Sequence, residues 1–232
     1  MNVFNNFSLR SSISRYNKHN DTFGGLSSFF MSKTKRRAKY YIADYDGGRI
    51  YLFDDSFNFL STKLFKNAAY IVTYADKLYI TSDTQIWKTD CNLNILSQYT
   101  SPNGTSMFNG VYFNSATKLL YIAGYNAYQV LVFDLNFKQK DKIPTSSYYP
   151  FSITGYDKKL YVGTTNGLVL EIADRKIIGS FNGCNGNTNA WLTSIMFDQF
   201  GYITTTCDKT YLYHSNGIYT VKKKKRLKAF QK

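Results

Sequence analysis

The sequence YYIADYDGGRIYLFD, residues 40–54, reads as two β-strands joined by a tight turn. Tyr41, Ile42 and Ala43 are of residue types that favour strands. Asp46, Gly47 and Gly48 then form a turn of the kind that tolerates positive φ, and residues 49–53 resume the strand. We therefore expect a hairpin here, and the rest of the chain repeats this unit.

A tyrosine followed by an aliphatic residue recurs at a nearly constant interval along the chain, and such a period is the signature of a repeat architecture. Successive tyrosines are 38, 42, 40 and 41 residues apart. Five occurrences at this spacing are not expected by chance. The pairs are Tyr41-Ile42, Tyr79-Ile80, Tyr121-Ile122, Tyr161-Val162 and Tyr202-Ile203.

Each pair belongs to a pattern of four short strands, in which one strand precedes the pair and two follow it. Four strands in about 40 residues are typical of one blade of a β-propeller. A lone four-stranded sheet has two apolar faces, and stacking the blades buries both. The sequence therefore predicts an all-β fold, a β-propeller. The preceding strands are predicted at 69–74, 110–113, 151–154 and 192–197; the third at 50–53, 85–88, 130–133, 168–172 and 210–213; the fourth at 57–61, 93–98, 137–142, 176–181 and 217–221.

The number of blades is the open point of this prediction. Four repeats are complete, and the first lacks a clear innermost strand, so about five blades are recognisable. Either the apolar run 26–31 or the C-terminal strand completes the first blade, or the chain is an incomplete six-bladed propeller.

The basic charge of the chain is concentrated at its two ends. The net charge is +14, of which residues 1–39 contribute +7 and residues 222–232 contribute +7, so residues 40–221 are neutral. We expect a basic, disordered N-terminal tail (1–39), the propeller (40–221) and a basic C-terminal tail (222–232). The C-terminal tail fits a nuclear-localisation or polyanion-binding stretch, carried by Lys222, Lys223, Lys224, Lys225, Arg226 and Lys228.

The three cysteines, Cys91, Cys184 and Cys207, are widely spaced and form no Cys-x-x-Cys pair. They are expected to be reduced, buried thiols rather than a disulfide framework or a zinc site. No apolar run reaches the length of a membrane span, and the N-terminus has no signal-peptide core. These features predict an intracellular protein, cytoplasmic or nuclear, with mitochondrial import left open.

The hairpin 40–54 resembles the NHL repeat, whose usual form is close to L-Y-V-A-D-x-x-N-x-R-I-x-V-F-D. The matching residues include Asp44 and Arg49, and the later repeats keep the hydrophobic spacing while losing this pair. The resemblance covers roughly residues 40–221 and implies a propeller of the NHL superfamily. It also implies that Asp44 and Arg49 form a structural ion pair between strands. Members of the superfamily range from protein- and RNA-binding modules to lactonases and lyases, so the fold alone does not give the function.

The sequence offers little catalytic chemistry. Glu171 is the only glutamate and lies in a predicted third strand, away from a central channel. His214 is the one histidine of the body, which is too few for a multi-histidine metal site. No catalytic residue, metal site or cofactor is predicted.

The connections between blades are polar and aromatic, a composition suited to contacts with a protein or peptide, because tyrosine provides contact area at a low entropy cost. We predict a non-enzymatic interaction scaffold that binds a protein or peptide partner through this rim. One alternative is a lactonase-like or lyase-like propeller enzyme with an unrecognised channel site. The other is a nucleic-acid-associated protein that contacts phosphates through its tails. The predicted rim residues are Tyr99, Asn103, Tyr148, Tyr149, Asn185, Asn187 and Trp191.

Overall fold

The computed structural model describes residues 26–33, 38–104, 106–184, 188–197, 203–209 and 217–221. The described residues form antiparallel strands in five sheets and two short 3-10 helices, with no α-helix among them. The chain divides into two compact units, residues 1–98 and 99–232. Each unit is built of meandering sheets in which sequence neighbours pair.

The first unit holds two four-stranded sheets, in the order β1-β2-β3-β4 and β5-β6-β7-β8. The strands of the first sheet are β1 (Leu26–Lys33), β2 (Ala38–Asp44), β3 (Arg49–Phe53) and β4 (Phe59–Leu64). Those of the second sheet are β5 (Tyr70–Tyr74), β6 (Lys77–Thr81), β7 (Gln85–Asp90) and β8 (Ile95–Thr100).

The second unit holds the other three sheets, and the 3-10 helices are Pro102–Gly104 and Tyr125–Ala127. The third sheet consists of β9 (Phe108–Asn114), β10 (Leu119–Gly124), β11 (Gln129–Phe133) and β12 (Gln139–Pro144). The fourth consists of β13 (Pro150–Tyr156), β14 (Lys159–Thr164), β15 (Leu168–Ala173) and β16 (Lys176–Asn182). The fifth consists of β17 (Ala190–Phe197), β18 (Ile203–Lys209) and β19 (Gly217–Val221).

Burial falls from the middle of each four-stranded sheet toward its fourth strand. Four of the five residues of β11 are buried, whereas most of β8, β12 and β16 is exposed. Within each unit, the buried side chains of the second and third strands pack against the sheet next to them. One buried cluster joins residues of the first and second sheets, a second joins the third and fourth, and a third joins the fourth and fifth. This is the blade stacking that the repeat predicts.

The repeat tyrosines occupy the same place in their sheets. Tyr41, Tyr79, Tyr121 and Tyr161 all lie in the second strand of a sheet, as predicted. Tyr202 lies outside the described residues. The strands predicted to precede the repeat tyrosines are also observed, as β5, β9, β13 and β17.

The first sheet is completed by the apolar run near the N-terminus. β1 pairs with β2 from Leu26↔Asp44 to Lys33↔Ala38. The run 26–31 is thus part of the first blade, as one of the alternatives had it, although it lies in the segment 1–39 expected as a tail.

The end of the chain differs from the predicted strand order. β19, expected as a fourth strand, pairs directly with β18 from Ile203↔Val221 to Cys207↔Gly217 and so takes the third position. The run 210–213, expected as the third strand, lies outside the described residues.

Cys184 and Cys207 form a disulfide, so the expectation of three reduced thiols is wrong for this pair. Cys184 lies two residues after the end of β16 and Cys207 lies in β18, and both are buried in the cluster between the fourth and fifth sheets. Their separation of 23 residues hid the pairing, because the sheet stacking rather than the sequence brings them together. Cys91 is a free thiol.

The buried tyrosines give the fold a dependence on alkaline pH. Burial, and then the nearby Tyr74, raise the pKa of Tyr79 to about 12, and burial also raises the pKa of Tyr41 and Tyr70. A raised pKa in the folded state favours the neutral phenol. This stability is therefore complete below the unfolded pKa of about 10 and is lost as the pH rises through the folded value.

We expect tyrosinate absorbance in an alkaline titration to rise in two phases, the second coinciding with loss of the β circular-dichroism signal. The first phase reports exposed tyrosines. A single phase near the ordinary tyrosine pKa, with the β signal intact, would contradict this assignment.

Candidate functional site

Five aromatic side chains from the third, fourth and fifth sheets meet where the loops connect the strands. We call this group the aromatic surface; it consists of Tyr125, Tyr128, Tyr149, Phe151 and Trp191. Tyr125 and Tyr128 belong to the connection between β10 and β11, and Tyr149 lies just before β13. Phe151 is in β13 and Trp191 in β17. Three consecutive sheets thus contribute to one group.

The rings of the aromatic surface are in mutual contact. Tyr149 stacks on Tyr125 with ring centroids 4.8 Å apart and lies 4.4 Å from Tyr128. Trp191 lies 5.3 Å from Phe151 and 6.2 Å from Tyr125. These separations are those of favourable aromatic pairs. The rings are held in place by each other, yet none is fully buried, and Tyr149 is 36% exposed.

Backbone hydrogen bonds hold the loops that carry these rings. The Tyr125 N–H donates to the carbonyl oxygen of Met107 at 2.8 Å, and the Thr145 N–H donates to that of Tyr128 at 2.8 Å. The Thr165 N–H donates to the carbonyl oxygen of Tyr149 at 3.2 Å. Each bond joins different connections or strand ends, so the surface is preorganised. A preorganised surface loses little entropy when a ligand binds.

Tyr128 has a left-handed backbone conformation, with φ of 50°. Its N–H donates to the carbonyl oxygen of Tyr125 at 3.2 Å, which closes the short 3-10 helix and turns the chain into β11.

The hydroxyl groups of Tyr125 and Tyr128 stay neutral at physiological pH. A hydrogen bond with Tyr149, followed by burial, raises the pKa of Tyr128. Burial, followed by the proximity of Tyr149, raises the pKa of Tyr125. The surface therefore presents uncharged rings and hydroxyl groups, which suits an apolar or neutral polar ligand.

The structure brings together two of the predicted rim residues, Tyr149 and Trp191. Tyr99 instead packs inward, 5.0 Å from the ring of Phe133, and Tyr148 packs against the buried cluster between the third and fourth sheets. Asn103 lies in the short helix Pro102–Gly104. The remaining predicted site residues lie outside the described residues; they are Asn185, Asn187, Lys222, Lys223, Lys224, Lys225, Arg226 and Lys228.

Sequence reasoning missed Tyr125, Tyr128 and Phe151. A signal was present, because GYNAYQ (124–129) places two tyrosines in a connection between a second and a third strand. The predicted rim comprised only the connections between repeats. The structure shows that connections within a repeat reach the same place.

The corresponding connections of the first unit carry a polar cluster instead. The Tyr45 hydroxyl donates to Asp83 Oδ1 at 2.5 Å, and the side-chain amide of Asn67 donates to the other carboxylate oxygen. Burial and then this hydrogen bond raise the pKa of Tyr45. The Asp83 carboxylate thus accepts hydrogen bonds from both side chains, which indicates a structural link between the first two sheets rather than a ligand site.

Glu171 and the residues of the predicted Asp44–Arg49 pair lie in structural contacts. Glu171 lies in β15, where its Oε1 atom is 2.5 Å from Lys159 Nζ and accepts a hydrogen bond from the Tyr161 hydroxyl at 3.3 Å. Asp44 and Arg49 oppose each other across β2 and β3, and the Asp44 carboxylate accepts a hydrogen bond from the Gly47 N–H at 3.0 Å.

Two further observations bear on the kind of protein. Within the described ranges, no three histidine, cysteine or carboxylate side chains lie close enough together to hold a metal ion. The described part of the chain also contains no helix of the length and apolarity that a membrane span requires.

Comparison with solved structures defines the fold class as a β-propeller of roughly five blades. The chain is similar to the WD40 domain of Neurospora crassa Pan2, with a TM-score of 0.65 and 11% identity over 85% of this chain and 60% of that one. It is also similar to Kuenenia stuttgartiensis hydrazine synthase, with a TM-score of 0.68 and 14% identity over 88% and 64%. A streptogramin B lyase gives a TM-score of 0.61 and 12% identity over 89% and 72%.

These similarities concern the fold alone, because every identity is far below the range that carries function. The chain spans about 60 to 64% of the length of the first two structures. No protein-family model matches the sequence. No curated protein matches it either.

Proposed function

We propose that this protein is a non-enzymatic interaction scaffold, which binds a protein or peptide partner through the aromatic surface. The observation that carries the proposal is the convergence of five partly exposed rings, from three consecutive sheets, on backbone-anchored connections. Tyrosine and tryptophan dominate the binding energy of many protein interfaces, because they bury a large area and lose little rotamer freedom.

The chemistry of the surface favours one kind of partner segment. Its rings are neutral, its hydroxyl groups donate and accept, and it has no built-in charge. A peptide segment with proline, aliphatic or aromatic side chains fits this description, since such segments dock on aromatic-lined grooves. Membership of the NHL superfamily is part of this proposal, supported by the residues of the β2–β3 hairpin.

Selection of peptides from a random display library on the full chain tests the proposal with a defined probe. Selected peptides are expected to lose about 30-fold in affinity in the Tyr149→Ala or Trp191→Ala variant, equivalent to about 2 kcal/mol for an interface hot spot. Isothermal titration calorimetry measures the loss. A Tyr149→Phe variant keeps the ring and is expected to retain most of the affinity.

Ile178→Ala is the matched control, because Ile178 is an exposed apolar residue of β16 that is 54% accessible. Its affinity for the selected peptides should equal that of the wild type, and circular dichroism verifies that every variant is folded. Peptides that bind the Tyr149→Ala and Trp191→Ala variants as tightly as the wild type would refute the proposed site. A library that yields no binding peptide would refute it as well.

A further inference from the structure

A cavity of about 580 Å³ opens between the third and fourth sheets. We call it the interblade cleft. It lies at the hairpin turns β9–β10, β13–β14 and β15–β16, whereas the aromatic surface lies at the opposite ends of the same strands. Its size falls within the range of about 300–1,000 Å³ of ligand pockets. Its apolar lining includes Leu119, Val132, Ile143, Leu160 and Ile172.

The origin of the cleft is a difference in one turn. In the first three sheets, the third strand leads into the fourth through a five-residue turn that begins with an aspartate. These turns are residues 54–58, 90–94 and 134–138, and Asp90 is also the last residue of β7. The fourth sheet uses only the two residues Asp174 and Arg175, with φ of 48° and 63°.

The three long turns are built alike. In each, the first residue is an aspartate whose Oδ1 atom accepts hydrogen bonds from the N–H groups two and four residues later, at 2.8 to 3.0 Å. The fourth residue of each has a left-handed backbone conformation and a large apolar side chain. These fourth residues are Phe57, Leu93 and Phe137, with φ of 61°, 65° and 63°.

The first unit shows what such a turn does at the junction of two sheets. Leu93, in the turn of the second sheet, is fully buried in the same cluster as Tyr41 and Leu52 of the first sheet. The Tyr41 hydroxyl donates to the carbonyl oxygen of Cys91 in that turn, at 2.9 Å. The turn thus fills the junction with one apolar side chain and supplies one backbone acceptor.

The fourth sheet has no equivalent of Leu93 in its two-residue turn, and the consequence is visible at Tyr121. Tyr41, Tyr79 and Tyr161 are 0%, 1% and 0% exposed, whereas Tyr121, at the same place in the third sheet, is only half-buried and lines the cleft. Tyr112 lies beside it, with ring centroids 6.2 Å apart. Tyr121 is therefore partly exposed in the cleft, whereas the equivalent Tyr41 of the first unit is covered by the turn of the neighbouring sheet.

The charges at the rim do not select an anion. Three of the four cations of the lining are paired: Lys140 with Asp134 at 3.1 Å, Arg175 with Asp141 at 2.7 Å, and Lys159 with Glu171 at 2.5 Å. The fourth, Lys158, follows Asp157 in the β13–β14 turn, and the carboxylates of Asp157 and Asp174 also line the cleft. Because carboxylates already neutralise these groups, the apolar floor and the tyrosines dominate recognition.

We propose that the interblade cleft is a second binding site, which accepts a turn of a partner protein carrying one leucine or phenylalanine. The apolar side chain takes the place that Leu93 takes in the first unit. A backbone carbonyl of the partner turn accepts a hydrogen bond from the Tyr121 hydroxyl, as the Cys91 carbonyl does from Tyr41. The partner supplies the piece that the short turn of the fourth sheet lacks.

A synthetic peptide that copies residues 89–95 with serine in place of Cys91, TDSNLNI, is the direct probe. Calorimetric titration of the full chain is expected to detect binding at millimolar peptide or below. Replacing the peptide leucine by alanine should weaken binding about 10-fold or more, because a buried leucine side chain is worth about 1.5 to 3 kcal/mol. Absence of binding at millimolar peptide, or equal binding of the alanine peptide, would overturn the proposal.

A turn graft tests the same idea without a ligand. Replacing Asp174 and Arg175 by the five residues of turn 90–94 is expected to fill the cleft, raise the midpoint of thermal unfolding and abolish binding of the peptide. A folded graft that still binds the peptide with wild-type affinity would overturn the proposal.

The two proposed sites are separable by experiment. Tyr121→Ala should abolish binding of the turn peptide and Ile178→Ala should preserve it. If Tyr149→Ala abolishes that binding instead, the peptide occupies the aromatic surface and the cleft proposal fails. Failure of library selection at the aromatic surface refutes the proposed function but leaves the result with the turn peptide unaffected.

Discussion

The Gly110→Ala variant is expected to lose about 3 kcal/mol of unfolding free energy, near the upper end of the usual cost of overpacking. Gly110 lies in β9, which packs against β13. A methyl group at Gly110 would lie 2.8 Å from the Ile153 nitrogen, 2.8 Å from the Ser152 Cα atom and 2.9 Å from the Phe151 carbonyl oxygen. All three are backbone atoms, which do not move aside as a flexible side chain does.

Urea unfolding followed by circular dichroism measures this loss. For a chain of this length, the same loss corresponds to a fall of roughly 6 to 12 °C in the midpoint of thermal unfolding. Gly179→Ala is the matched control, because Gly179 is also a strand glycine but has no heavy atom within 4 Å of the added methyl group. It should be neutral or slightly stabilising. Equal stability of the two variants would show that β9 and β13 do not approach this closely.

Removing the disulfide is the second change with a large expected effect. The Cys184→Ser, Cys207→Ser double variant should lose about 3 kcal/mol, the entropic estimate for a closed loop of roughly 20 to 25 residues. The bond fastens the end of the fourth sheet to β18, and both sulfur atoms lie in the buried cluster. Reduction of the wild type should lower its unfolding free energy by a similar amount, as urea titration with and without reductant would show.

Cys91→Ser is the control, because Cys91 is the free thiol of the chain and the substitution leaves the disulfide intact. The unfolding free energy of Cys91→Ser should not fall by the amount lost in the double variant. It should still fall when a reductant breaks the disulfide. Alkylation of the denatured, unreduced wild type should label one of its three cysteines, Cys91. Labelling of all three would contradict the bond. Disulfides persist in oxidising compartments and are rare in the cytosol. The intracellular location therefore stays a prediction, and detection of the disulfide by alkylation would count against it.

The period of the sequence was sufficient to predict most of the strands. Tyr79, Tyr121 and Tyr161 mark second strands because alternation and residue type decide whether a segment can be half-buried in a sheet, and both are local properties. β1 was harder to place, since the run 26–31 carries no tyrosine marker and its partner strand decides its role. β19 was placed one position too far out, because the pairing of strands depends on geometry that no short pattern encodes.

The candidate site was predictable only in part. Tyr149 and Trp191 were found because they lie in connections rich in aromatic residues, yet the neighbouring Tyr148 turned toward the core. Successive residues of an extended segment point to opposite sides, and the packing of β12 and β13 decides which side is inward. Tyr125 joined the surface from a different connection of the same repeat, which sequence distance concealed.

The sequence by itself determined the repeat, the all-β class, the location of the charge at the two ends of the chain, and the place of four repeat tyrosines in their sheets, namely Tyr41, Tyr79, Tyr121 and Tyr161. These follow from residue type and spacing, which act locally. The tertiary structure alone decided the pairing of Cys184 with Cys207, the assembly of the aromatic surface and the opening beside Tyr121. Each depends on which sheets stack and how closely their turns approach, and contacts between residues distant in the chain set that geometry.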